Sequence, residues 1–319
     1  MKLYCLLTAL SIFSSLSLFA QQSTPDSLAK EESFWNKGGN LSATFQQVGL
    51  NNWAGGGKST LAVGGIFSAF LTFDDTTKRR WETRMEVSYG LSKIGEEADR
   101  FIKSKDNFIL SSRYGRKLSK NYYLSTLVDF RTQIAQGFKT EQINDSISDD
   151  VRISEFMAPG FLIASLGATY SPIQRKLIEE ERKAQKRKGN YFAVTLSPFS
   201  GKFTFVLDDT LAKNDQYNTE GKQVKAEAGS SLTLGLRQEL FENISFSTNL
   251  NLFSAYEKFE NVDVNLESLL VLRVNKYIMS NVSLQLIYDD DIDVERDDGT
   301  VGPALQLQHA INVGFTYGF

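Results

Sequence analysis

The chain has one cysteine, one histidine and five prolines in 319 residues. The cysteine, Cys5, lies in an N-terminal apolar run. Once that run is cleaved, no thiol remains, which excludes disulfides, a thiolate metal site and a cysteine nucleophile. A large excess of either charge is also missing: 35 Lys and Arg against 38 Asp and Glu give a formal net charge of −3. Nucleic-acid binding calls for a basic excess, and there is none. No long apolar run follows Ala20. A membrane protein built of helices is thereby excluded, since each span needs roughly 20 apolar residues.

The N-terminus reads as a secretory signal peptide. Lys2 precedes the run Leu3 to Phe19, and Ala20 precedes Gln21. That is a charged start, an apolar centre and a small residue at the cut. Five Ser and Thr residues interrupt the run, so it spans a bilayer poorly. Residues 1–20 are therefore assigned to the signal, 21–37 to a polar periplasmic lead-in and 38–319 to the folded part.

What the folded part does have is alternation. From Leu305 to Phe319 one face carries Leu305, Leu307, His309, Ile311, Val313, Phe315, Tyr317 and Phe319. The other carries Gln306, Gln308, Ala310, Asn312, Gly314, Thr316 and Gly318. Period two without a slip is a β-strand with one apolar and one polar face. A final aromatic behind such a strand suits the closing strand of an outer-membrane barrel. Similar faces recur at Leu61–Phe73, Trp81–Leu91, Tyr122–Phe130, Leu162–Tyr170, Phe192–Leu196, Leu232–Leu236, Ile244–Leu252, Val262–Val274 and Val282–Tyr288. Residues 40–47 and 108–114 complete a set of about twelve strands.

The links alternate in length as well, apart from the short outer link Glu257–Glu260, which breaks the trend mildly. Asp74–Lys78, Gly115–Asn121, Phe241–Asn243 and Asn275–Ser280 are tight. Val48–Gly57, Ser92–Ser104, Gly137–Ile153, Ser200–Val224 and Asp289–Pro303 are longer and mostly polar. Short periplasmic turns, long outer loops and an even strand count with both termini in the periplasm are the barrel pattern. The expected fold is an all-β, antiparallel transmembrane barrel. One periplasmic link breaks the rule: Pro172 to Lys188 is rich in helix formers and is stopped by Gly189, so a short helix is expected at 172–188. It reads as a solvated helical turn or as a docking element for a periplasmic partner or for phosphates of the inner leaflet, the last weakened by its mixed acidic and basic residues.

Charged residues fall on the polar faces: Glu82, Arg84, Glu86, Arg113, Asp129, Arg131, Glu227, Arg237, Glu239, Glu267 and Arg273. In a narrow lumen they either pair into a stiffening network or line a path that selects a small solute. The stretch Asp289–Gly299 holds seven carboxylates. Asp289, Asp291, Asp293 and Glu295 are candidate Ca²⁺ ligands, although the order of an EF-hand loop is missing and a solvated acidic loop has the same composition. His309 lies on the outward face, with no G-x-S-x-G elbow in the chain. A barrel hydrolase would want that His beside a Ser. No catalytic residue and no cofactor are assigned.

The most unusual local motif is Asn51–Gly57, with Trp53 before three glycines. Its bare physical reading is a tight outward turn with Trp53 at the membrane interface. Asn52, Trp53, Ala54, Gly56 and Gly57, then Ser197-Pro198 with Gly201, Lys202 and Thr204, and the aromatic Gly-Phe terminus together resemble the family DUF3078. That resemblance implies a Bacteroidota outer-membrane barrel with no assigned activity. It implies a shared structural or binding role for Asn52, Trp53, Gly56 and Gly57.

The functional expectation is a non-enzymatic structural barrel or narrow small-solute channel in the outer membrane. Its partners are outer-membrane lipid, a small solute and the barrel-assembly machinery, which would read Phe319 as a terminal signal. The alternatives are a lipid or peptide hydrolase at the outer rim, or a surface-binding accessory protein.

Overall fold

A computed structural model describes residues 34–48, 60–75, 77–94, 100–144, 147–172, 191–214, 217, 219–296 and 300–319. At 47–48, 139–144, 147–150, 293 and 295 it describes the backbone alone. The signal peptide, all but the end of the lead-in, the Asn52–Gly57 motif and the helical link from 173 onward lie outside the described residues.

The strands are, in chain order, β1 (Trp35–Val48), β2 (Thr60–Asp74), β3 (Arg79–Ile94), β4 (Ile102–Lys117), β5 (Tyr122–Thr132), β6 (Gly137–Asn144), β7 (Ile147–Ser154) and β8 (Gly160–Tyr170). They continue with β9 (Tyr191–Phe205), β10 (Val224–Phe241), β11 (Ile244–Ala255), β12 (Asp263–Arg273), β13 (Ile278–Tyr288), β14 (Asp293–Glu295), β15 (Val301–Pro303) and β16 (Gln306–Gly318). Twelve of them close into one barrel in the order β1-β16-β13-β12-β11-β10-β9-β8-β5-β4-β3-β2. All of its pairings are antiparallel, and the twelve are those read from alternation. The first strand starts at Trp35, inside the residues assigned to the lead-in.

β6 and β7 form a separate hairpin within the long link after β5, and β14 and β15 another within the link before β16. The link after β9 carries a short helix, α1 (Asp209–Lys213). These elements lie at the end of the barrel opposite the tight turns, called here the loop end. Its apolar centre is Ala158, Val206, Leu211 and Ala212, with Tyr217 packed against it. The Tyr217 hydroxyl donates to the Ile153 carbonyl at 3.0 Å. Burial pushes its phenol pKa up to about 12.

The exterior is apolar. On β16, Ile311, Val313 and Phe315 are 65%, 57% and 68% exposed, while Ala310, Asn312 and Gly314 between them are less so. Trp81, Tyr89, Tyr122, Leu124 and Leu166 are exposed on other strands. Water disfavours so large an apolar surface, whereas the hydrocarbon of a bilayer suits it. Closure leaves no unpaired strand edge inside lipid. The seam is fastened at the C-terminus: Gly39 and Phe319 exchange backbone hydrogen bonds of 3.0 and 3.1 Å. The Phe319 ring stacks on Phe67 at 6.2 Å. A Cβ at Gly39 would sit 2.6 Å from that ring, so the close approach requires glycine there.

One irregularity matters for the interior. In β9 the register shifts against both neighbours: three β9 steps from Leu196 to Phe199 face two in β8, and three from Ser197 to Ser200 face two in β10. The extra residue is a β-bulge beside Pro198, which has no amide to give to a ladder. Before it, Ala193, Thr195 and Ser197 are buried; after it, Ser200, Lys202 and Thr204 are. The bulge thus exchanges the faces of β9 and turns Lys202 into the lumen.

Candidate functional site

The lumen is lined by polar side chains in three layers. The layer nearest the tight turns centres on Tyr191, the first residue of β9. The guanidiniums of Arg84, Arg113 and Arg80 lie 5.0, 5.3 and 6.0 Å from its ring centroid. Arg113 also donates to the Tyr191 hydroxyl and to Glu82 Oε2. Arg80 donates to Glu82 Oε1 at 2.5 and 2.9 Å. Glu82 therefore serves two arginines and is buried. Arg237 is the cross-strand neighbour of Tyr191. A cavity of about 20 Å³, lined by Arg80, Arg113, Tyr123, Ser125, Thr169 and Ser171, has room for one water.

The middle layer crosses the barrel. Arg131 on β5 donates from Nε to Asp129 at 2.7 Å, and from Nη1 to Glu267 on β12 at 2.5 Å. Going round the wall, β8, β9, β10 and β11 stand between those two strands, so the contact joins nearly opposite sides. All three side chains are mostly shielded from water. Glu86 is within electrostatic reach of Arg131, Glu267 and Lys105. On the strands between β5 and β12 the hydroxyls of Ser165, Ser200 and Ser231 bond to one another at 2.8–3.1 Å. Thr169 bonds to Ser125 and Thr195 at 2.8 Å.

The loop-end layer is a clasp. Lys202, 5% exposed, donates to Asp263 at 2.6 Å and to Asp289 at 2.7 Å. Lys225 donates to Asp291 at 2.6 Å and lies 3.5 Å from Glu227. Lys258 adds a contact to Asp291 at 3.3 Å. At the same end of the barrel, a cavity of about 420 Å³ is lined by Lys103, Lys105, Asn107, Gln133, Gln285 and Gln306, among others.

The eleven charged residues assigned to the lumen from sequence thus fall into these layers. Glu82 and Arg113 meet in the first, Asp129, Arg131 and Glu267 in the second, and Glu227 stands in the third. Arg84, Arg237, Glu239 and Arg273 lie toward the turns, where β3 begins and β10 and β12 end. Of the candidate calcium ligands, Asp289 and Asp291 point into the mouth and are taken by lysines. The side chains of Asp293 and Glu295 lie outside the described residues, and no cluster of three metal-ligating side chains occurs among the described ones. His309 is exposed on the outer face of β16, in register with Leu284. Residues absent from the sequence assignment are Arg80, Tyr191, Lys202, Lys225 and Asp263. Parity from Phe192 already places Tyr191 inside; for Lys202 the signal is Pro198.

Residues 45–138 match the family described as a protein of unknown function (DUF3078). The match takes in the Asn52–Gly57 motif and leaves Ser197–Thr204 and the terminus beyond it. No curated protein matches the chain. Among solved structures, the chain is similar to an outer membrane channel from Pseudomonas putida F1, at 12% identity and TM-score 0.37, over 93% of this chain and 100% of that one. It is also similar to the translocator domain of the autotransporter NalP from Neisseria meningitidis, at 8% identity and TM-score 0.35, over 89% and 87%. A third likeness is to OmpT of Vibrio cholerae, at 6% identity and TM-score 0.30, over 89% and 97%. At such scores these add nothing to the fold read from the strand pairing itself.

Proposed function

We propose that this protein is a non-enzymatic outer-membrane barrel whose lumen is narrowed by side chains so that it excludes solutes of sugar size and above. The observation that carries this is Arg131, held by Asp129 on its own strand and by Glu267 on the nearly opposite wall. An open pore has no reason to bridge its walls, because two charges brought together in a dry centre each lose hydration. A filled barrel does, because buried charges must find partners.

Outer-membrane residence is supported by the apolar exterior, the closed sheet and the signal-like run at residues 1–20. Export through cleavage of that run, and recognition of Phe319 by the assembly machinery, belong to the same proposal. A hydrolase at the outer rim has less support: neither a hydroxyl nor a carboxylate is hydrogen-bonded to His309 among the described residues, so nothing there activates a nucleophile.

Proteoliposomes test the proposal. Liposomes holding the folded wild type are expected to exclude mono- and disaccharides over minutes, while Arg131→Ala admits them faster. Wild-type uptake at the rate of a wide open pore, unchanged in Arg131→Ala, would overturn it.

A further inference from the structure

The turn-end layer carries more positive charge than its carboxylates take up. Glu82 is engaged twice, by Arg80 and Arg113. Arg84, Arg237 and Arg273 make no ion pair and no side-chain hydrogen bond among the described residues. All three are exposed to water and stand on inward-facing positions, Arg84 in step with Glu82, Arg237 with Gly235 and Arg273 with Glu267. They come from different walls: β3 is separated from β10 by β4, β5, β8 and β9. Yet they converge. Arg84 reaches to within 5.0 Å of the Tyr191 ring centroid, and Tyr191 is the direct cross-strand neighbour of Arg237. The charges acting on Arg237 are Arg84, Arg273 and a single carboxylate, Glu239.

Guanidiniums gathered in a narrow lumen repel one another unless an anion stands between them. Their planar donor forks match phosphate oxygens two at a time. Tyr191 contributes by holding the Arg84 guanidinium against its ring face, which fixes the fork's direction. We propose that Arg84, Arg237 and Arg273 form a lumenal binding site for a multivalent oxyanion of the phosphate class, reached from the turn end. The site lies inside the wall, so its ligand is a soluble phosphate or phosphate ester and not a lipid headgroup. This rests on the reading of a lumen narrowed at its middle: the anion is held at the turn end, short of the Arg131 bridge.

The test is calorimetric titration of inorganic phosphate into the full-length barrel in a zwitterionic detergent, which requires no conduction. Failure of the closed-lumen reading would show in solute uptake and leave this titration unaffected. Saturable binding is expected in the wild type. It should weaken about tenfold or more in Arg237→Gln and in Arg84→Gln, as charge-assisted hydrogen bonds imply. Lys225→Gln, at the other end, should bind as the wild type does. Each variant is first shown to be folded by its shifted migration on an unboiled gel. Absence of saturable wild-type binding at millimolar phosphate would overturn the site. So would binding that survives Arg84→Gln/Arg237→Gln.

Discussion

Arg131 and Glu267 meet at 2.5 Å from nearly opposite walls of the barrel. The bond closes a chain of charges from Asp129 through Arg131 to β12. Removing the cation leaves two carboxylates facing each other in a shielded place, which costs about 3–5 kcal/mol when a buried pair is broken. Arg131→Met should therefore lower the urea midpoint, read from the unboiled-gel mobility of the folded form. Glu267→Gln, which keeps an acceptor, should lower it less. Equal midpoints for wild type and Arg131→Met would contradict this.

Lys202 holds Asp263 and Asp289 together at the mouth. Without it the two carboxylates repel, and Asp289 is the one at the head of a long link. Lys202→Met should speed protease cleavage between Asp289 and Pro303. Adding Asp289→Asn should slow it again, since one of the two like charges is then gone. A digestion pattern identical to wild type would remove the clasp from the account.

The seam offers a steric test. Phe319 occupies the space that a side chain at Gly39 would need. Gly39→Val should cost about 1–3 kcal/mol, as overpacking does, and reduce the fraction of folded barrel after refolding into detergent. Gly39→Val/Phe319→Ala should recover part of the loss. The rest of the loss belongs to the Ser68 carbonyl oxygen, which a Cβ at Gly39 would also meet at 2.6 Å, and no effect of Gly39→Val would contradict the close approach at this seam.

Acid should loosen the loop end. Asp208 caps α1, accepting from Leu211 N at 2.9 Å and Thr210 N at 3.0 Å, and it receives Arg152 at 2.6 Å. The Leu211 amide, followed by the Arg152 side chain, outweighs burial and holds its carboxyl below the usual range. A depressed folded pKa means that this stabilisation is complete above the unfolded value of about 3.9 and is lost as pH falls through the folded one. Amide exchange at Thr210 and Leu211, referred to the intrinsic rate, should accelerate below about pH 4. Asp208→Asn should flatten that dependence. Acceleration that persists in Asp208→Asn would assign it to another group.

The strands were legible because lipid outside and a polar interior force period two on every crossing segment, and a chain with few prolines lets it run unbroken. Tight turns such as Asp75, whose side chain takes three backbone amides, were legible through their length. The charged lumen was legible by parity, from Glu82 to Arg273. Its pairing was not, because which walls meet depends on closure and register. Lys202 was hidden for a different reason: the bulge at Pro198 reverses parity, so counting from Phe192 sends it into lipid. The hairpins β6–β7 and β14–β15 were hidden in polar links whose composition resembles coil. The acidic run at 289–291 read as solvated, yet Asp289 and Asp291 turn inward onto lysines placed by distant strands.

Single-channel recording in planar bilayers tests the closed lumen most directly. Purified wild type is expected to give no stable events, or steps far below those of an open barrel of twelve strands. Arg131→Ala/Glu267→Ala, which removes the bridge from both walls, is expected to raise the step size severalfold. Large stable steps from the wild type, unchanged when the bridge is removed, would contradict the account.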